Sequence, residues 1–66
     1  MIEYTNSAIR EAINEHIHSQ LDRDVLCARL IDGLTYEKLS EKFDISVSQI
    51  KRKIYKGEDI IFKRLK

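Results

Sequence analysis

The sequence predicts an all-α protein of four to five short helices. The chain contains no proline and only two glycines, the residues that most often interrupt helices. Apolar residues recur three or four positions apart along most of the chain, which is the spacing of one helix face. Residues that commonly cap helices precede these apolar runs. Together these observations favour helices over a sheet or a disordered chain.

The 66 residues suffice for one small helical domain spanning 1–66. Cys27 is the only cysteine, so the chain can form no internal disulfide, and a lone thiol is typical of a reducing interior. We therefore expect a cytoplasmic protein. Its apolar runs are shorter than the roughly 18–20 residues that cross a bilayer, so we expect no membrane association.

The first predicted helix occupies the N-terminal segment, residues 1–20, and its apolar stripe continues to Leu21. Its inward stripe recurs at every fourth position: Ile9, Ile13, Ile17 and Leu21. The preceding residues Thr5–Ser7 are all candidate N-caps. Residues 1–33 carry three Arg or Lys against six Asp or Glu. We therefore expect this helix to form the surface for a homodimer or another protein partner.

Residues 21–33, "LDRDVLCARLIDG", predict a second helix. Asp22 can cap this helix or lie in its first turn, and Gly33 is a natural stop. Thr35 then caps a third helix that ends near Phe43. Asp44 tolerates the left-handed conformation that ends a helix.

Ser46 is a strong cap for the next helix, which begins at Val47. Ile50 and Ile54 form its inward stripe. Gly57 costs about 1 kcal/mol inside a helix. We therefore expect a break or bend there. Ile61 and Leu65 nevertheless continue the stripe from Ile54, so we expect either a terminal helix or an extension of this helix over residues 58–65.

Residues 35–56 match the spacing of a helix-turn-helix unit. A three-residue turn, residues 44–46, separates two short helices. The small Ser40 permits the helices to approach closely, and Ile45 can fill the corner between them. In such units the second helix lies in the major groove of DNA.

The second helix of this unit has a cationic outer face. Between residues 45 and 57 there are four Lys or Arg and no acid, which is the charge pattern that attracts phosphates. Ser48 and Gln49 lie at the N-terminal end, which meets base edges in recognition helices. Lys51 and Arg52 can donate to guanine, and Gln49 can pair with adenine. Lys56 lies at the edge of this face, where we expect a phosphate contact.

Residues 21–65 resemble domain four of bacterial sigma factors, the domain that reads the −35 promoter element. The likeness rests on three segments: "RDVL", "GLTYEKLSEKFDIS" and "QIKRKI". The resemblance implies base contacts at Val47, Ser48, Lys51 and Arg52. It implies phosphate contacts at Thr35, Tyr36 and Lys53.

The chain also departs from that family. Asp44 stands where the family often has glycine, and 66 residues leave no room for a promoter-melting domain. We therefore expect a stand-alone regulator of phage or mobile-element type rather than a sigma factor.

The predicted function is a small, sequence-specific regulator of transcription that reads double-stranded DNA with helix 47–56. The alternative is a sigma-domain mimic that binds RNA polymerase or another regulator. We expect no enzyme, cofactor or small-molecule substrate, because the sequence contains no glycine-rich phosphate loop and no nucleophile at a meaningful spacing from a base. We also expect no metal, since His16 and His18 lack the spacing of a zinc site.

Overall fold

The computed structural model describes residues 5–64, and they form an all-helical fold, as predicted. The four helices are α1 (Asn6–His16), α2 (Gln20–Leu30), α3 (Tyr36–Phe43) and α4 (Val47–Arg64). No strand occurs between residues 5 and 64. α4 packs against each of the other three helices, so it is the central element of the fold.

A hydroxyl side chain caps the start of each helix. In each case its oxygen accepts a hydrogen bond from the backbone N–H three residues later, which otherwise has no acceptor within the helix. The four caps are Thr5, Ser19, Thr35 and Ser46. Asp22 lies in the first turn of α2, the second of the two positions that the sequence allowed.

The predicted N-terminal helix reaching Leu21 is wrong, because the chain turns a corner after α1. α1 ends at His16, Ile17 is extended, and α2 begins at Gln20. The Arg23 guanidinium donates to the backbone carbonyls of Asn14 and Ile17, which satisfies acceptors that the end of α1 leaves free. Ile17 is still buried, but Leu21 is 40% exposed. The four-residue spacing thus continues across two separate helices.

The predicted break at Gly57 is also wrong. α4 runs through Gly57 without interruption, so residues 58–64 extend the same helix, which is the second of the two alternatives that the sequence left open. A Cβ atom at position 57 would lie 2.5 Å from Cδ1 of Leu26 in α2. Glycine is therefore required there for close packing of α2 on α4, and it does not end the helix. Leu65 lies outside the described residues.

All four helices contribute to one hydrophobic core. The largest fully buried side chains are Val25, Leu26, Leu39, Ile13, Ile50, Ile54 and Ile61. Cys27 is half-buried and packs against this core as a small apolar residue. Burial raises the pKa of its thiol, which keeps the sulfur protonated and unreactive at neutral pH.

The turn between α3 and α4 has the predicted length of three residues. Asp44 adopts the left-handed conformation, with a φ of 55°. The Ser40 hydroxyl donates to the carbonyl of Ile45, and the Ile45 N–H donates to the carbonyl of Ser40 at 3.2 Å. These two bonds fix the turn and thereby the start of α4.

Candidate nucleic-acid interface

The core determines which face of α4 is exposed. Ile50, Ile54 and Ile61 are at most 1% exposed, as the predicted phase of the helix requires. Ser48, Arg52 and Tyr55 lie on the opposite side and are exposed. The first three turns of α4 therefore present their polar side chains to solvent.

The predicted base-contacting residues all lie in the first two turns of α4. Ser48 and Arg52 are one turn apart on the outer face, with Gln49 and Lys51 on opposite sides of them. All four are exposed, whereas Val47 is half-buried at the start of the helix. The structure thus brings four of these five side chains together on one accessible surface.

A cluster around Tyr36 borders this surface on the α3 side. The Arg29 guanidinium carbon lies 4.4 Å from the centre of the Tyr36 ring, and the Lys51 Nζ lies 5.5 Å from it. Arg29 also donates to the carbonyl of Leu34 at 2.8 Å. A hydrogen bond with Tyr36 raises the pKa of the exposed Tyr55 hydroxyl. Two cations therefore lie against the Tyr36 ring at the edge of the surface.

The sequence did not identify Arg29 as part of this cluster. Arg29 is in α2 and Tyr36 is in α3, and only the turn around Gly33 brings them together. Gly33 has a left-handed φ of 74°, as expected for the predicted stop after α2. Thr35, a predicted phosphate contact, is exposed, and its hydroxyl oxygen accepts from the Lys38 N–H.

On the opposite flank of α4, Lys53 forms an ion pair. Its Nζ lies 2.8 Å from Oδ1 of Asp22, and about a third of each side chain is exposed. Lys53 is a predicted phosphate contact, and its positive charge is thus already neutralised by a carboxylate from α2. Lys56, one turn nearer the centre of the helix, is exposed.

Two adjoining clefts follow this flank, and we call them together the flank groove. The first has a volume of about 380 Å³ and lies between the α1–α2 corner, residues 16–19, and residues 52–60 of α4. The second has a volume of about 390 Å³ and is lined by Leu21, Ile45, Gln49, Arg52 and Lys53. Arg52 and Lys53 line both clefts, so the clefts lie next to each other along α4.

The cationic surface is limited in length. Glu58 and Asp59 follow Gly57 in α4, and Asp59 lies 3.7 Å from Lys63. The C-terminal half of α4 therefore carries charges of both signs. Only the turns from Val47 to Gly57 present cations without acids.

Among residues 5–64 we find no group of three or more His, Cys, Asp or Glu arranged to hold a metal ion. None of the helices in this part of the chain has the length and apolar character needed to cross a membrane.

Comparisons of the chain with models of protein families, with curated proteins and with solved structures found no match.

Proposed function

We propose that this protein is a small, sequence-specific regulator of transcription that places the first turns of α4 in the major groove of double-stranded DNA. The observation that carries the proposal is the charge of residues 47–57, which include four cations and no acid. Lys51, Arg52 and Lys56 are exposed, whereas Lys53 is paired with Asp22 of α2. A solvated helix face usually mixes both signs of charge, whereas a cationic face attracts the phosphates of nucleic acid.

The positions of the exposed side chains support contacts to different parts of the DNA. Arg52 points away from the core, where its fork of donors can pair with guanine. Gln49 and Ser48 lie nearer the start of α4 and can contact neighbouring bases. Thr35, Tyr36 and Lys56 lie beside this face, where the DNA backbone would pass. Lys53 contributes less, because Asp22 neutralises it.

The interface available to one copy is small. A single module of this kind buries about 600–1,000 Å² of protein surface on DNA, and its affinity is correspondingly modest. A second copy or another protein would supply the remaining affinity. The apolar side of α1 does not offer a surface for it, since Ile9, Ala12 and Ile13 are buried in the core.

The test begins with selection of a duplex from a random pool, followed by fluorescence anisotropy at several salt concentrations. We expect affinity to fall steeply with salt, because each phosphate contact releases counterions. Arg52→Ala should cost about 1–3 kcal/mol and relax base preference at one position. Arg10→Ala, an exposed arginine of α1, is the matched control. Salt-independent binding, or full binding by Arg52→Ala, would contradict the proposal.

A second candidate function is a sigma-domain mimic that binds RNA polymerase or another regulator. It is favoured by the outer face of α1, where Glu11 and Glu15 are exposed one turn apart. These carboxylates lie outside the core, and that of Glu15 is 3.8 Å from Nε2 of His16. If the protein is such a mimic, we expect RNA polymerase to co-purify with it after nuclease treatment. The double substitution Glu11→Lys and Glu15→Lys should abolish this association. DNA binding by the isolated chain would then be weak.

A further inference from the structure

The flank groove runs alongside the face proposed to read bases. It extends from Gln49 to Ile60, which is roughly 16 Å at about 1.5 Å per residue. Its outer wall is the α1–α2 corner and the first turn of α2. Gln49 and Arg52 belong both to the groove and to the reading face, so the two surfaces are continuous.

The charge of the groove favours an anionic occupant. Arg52, Lys53 and Lys56 line it, together with His16 and His18. Among the described residues that line the groove, Asp22 is the only acid, and its carboxylate is already paired with Lys53. Arg52 and Lys56 therefore leave an excess of positive charge along the groove.

The groove also has an apolar component. Leu21 is 40% exposed at its outer edge, and the half-buried Ile45 lies at its end nearest the α3–α4 turn. A free phosphate would make no use of these side chains. A sugar–phosphate chain would, because its deoxyribose rings are apolar and alternate with charged phosphates.

The position of the groove matches the path of a DNA strand. A helix in the major groove, which is about 12 Å wide, has one phosphate backbone on each side of it. On the α3 side of the reading face lie Thr35 and the Tyr36 cluster. On the other side lies the flank groove, which would face the backbone of the second strand.

We infer that the flank groove holds the sugar–phosphate backbone of one DNA strand, with His18 of the α1–α2 corner and Lys56 of α4 donating to its phosphates. The inference rests on the proposed function and adds to it a second backbone contact, made by the corner between α1 and α2. Leu21 packs against a deoxyribose in this arrangement. The corner that separates α1 from α2 thereby becomes part of the interface.

The first experiment measures binding of the selected duplex by Lys56→Ala and His18→Ala across a range of salt. Lys56→Ala should lower affinity several-fold and reduce the salt slope by about one. His18→Ala should lower affinity about tenfold or more, since a hydrogen bond to a charged group is lost. The matched controls are Lys63→Ala, at the mixed-charge end of α4, and Asn14→Ala, an exposed residue of α1; both should bind as the parent does.

A second experiment locates the contact on the DNA. Neutral methylphosphonates replace single phosphates, one strand at a time. The parent should lose affinity at one or two positions of the strand that passes the groove. Lys56→Ala and His18→Ala should each show no further loss at the phosphate that the replaced side chain contacts, because that contact is already absent.

The outcomes separate the two proposals. If the parent binds no duplex in a salt-dependent manner, the proposed function fails and the inference fails with it. If the parent binds and Arg52→Ala does not, but Lys56→Ala and His18→Ala bind as the parent does, only the inference is overturned. A site for a free anion would also overturn the inference. In that case titrated inorganic phosphate would shift the NMR signals of His18 and Ser19, and the methylphosphonates would lower the affinity of the parent and of the variants equally.

Discussion

The ammonium group of Lys53 lies 2.8 Å from the carboxylate of Asp22 and joins the start of α2 to the middle of the proposed reading helix. One of the four cations of that helix is therefore held by the protein itself. The pair links two properties that are usually separate, since the same lysine can support the fold or approach a phosphate. Substitution of Asp22 should move these two properties in opposite directions.

Asp22→Asn should weaken the fold and strengthen DNA binding. The free energy of unfolding should fall by up to about 1 kcal/mol, because partly exposed ion pairs contribute little. Affinity for DNA should rise several-fold at low salt, since a negative charge is removed and Lys53 is released. Urea unfolding and fluorescence anisotropy measure the two effects. The control is Asp24→Asn, which removes the next acid along α2, an exposed one. Equal gains in DNA affinity for both variants would contradict a specific role for the pair of Asp22 and Lys53.

Gly57→Ala should destabilise the protein although alanine favours helices. Alanine would gain about 1 kcal/mol in helix propensity. Its Cβ would lie 2.5 and 2.6 Å from the two methyl carbons of Leu26, which is fully buried. Overpacking of this kind costs about 1–3 kcal/mol. We expect a net loss of about 1 kcal/mol in urea unfolding.

The double variant Gly57→Ala with Leu26→Ala tests the cause. Leu26→Ala alone should cost about 2–5 kcal/mol through the cavity it leaves. In that background the alanine at position 57 has space and should become neutral or stabilising. If Gly57→Ala costs the same with and without Leu26, the close contact does not explain the glycine.

Asp44→Gly should stabilise the turn between α3 and α4. Asp44 has a φ of 55°, a conformation that costs most L-residues about 1–2 kcal/mol and glycine nothing. Glycine also raises the entropy of the unfolded chain, which removes part of the gain. We expect the free energy of unfolding to rise by about 0.5–1 kcal/mol. Gly33→Ala is the reciprocal control, and with a φ of 74° it should lower stability; a fall in stability for Asp44→Gly would show that the aspartate has another role.

The titration of Tyr55, at the edge of the exposed face of α4, should depend on Tyr36. The hydrogen bond with Tyr36 raises the pKa of Tyr55, so the folded state favours the protonated hydroxyl. The resulting stabilisation is present below the ordinary tyrosine pKa of about 10 and is lost as the pH rises through the higher pKa of the folded state. In Tyr36→Phe, tyrosinate absorbance should show Tyr55 titrating closer to its ordinary range. An unchanged Tyr55 titration in this variant would exclude the hydrogen bond as the cause.

Local signals in the sequence predicted much of the helical framework. The caps at Thr35 and Ser46, the left-handed Asp44 and the inward phase of Ile50 all depend on residues within one or two turns of each other. These features appear in the structure as expected. The outward positions of Ser48 and Arg52 follow from the same phase.

Features that depend on distant residues were not predictable in this way. Gly57 looks like a helix breaker until Leu26, 31 positions earlier, is seen to fill the space beside it. Leu21 continues the spacing of α1, and only the corner at residues 17–19 shows that it belongs to another helix. The ion pair of Lys53 and Asp22 similarly joins α4 to α2. A count of the charged residues along α4 alone cannot reveal it.

The uninterrupted α4 has a consequence for how new specificities can arise. Its inner side, with Ile50, Ile54, Gly57 and Ile61, is committed to the core, while Ser48, Gln49 and Arg52 on the outer side are exposed. Substitutions at those three outer positions should leave folding nearly unchanged. The fold can therefore serve as a scaffold in which a library of side chains at these three positions is displayed and selected, with the rest of the chain kept constant.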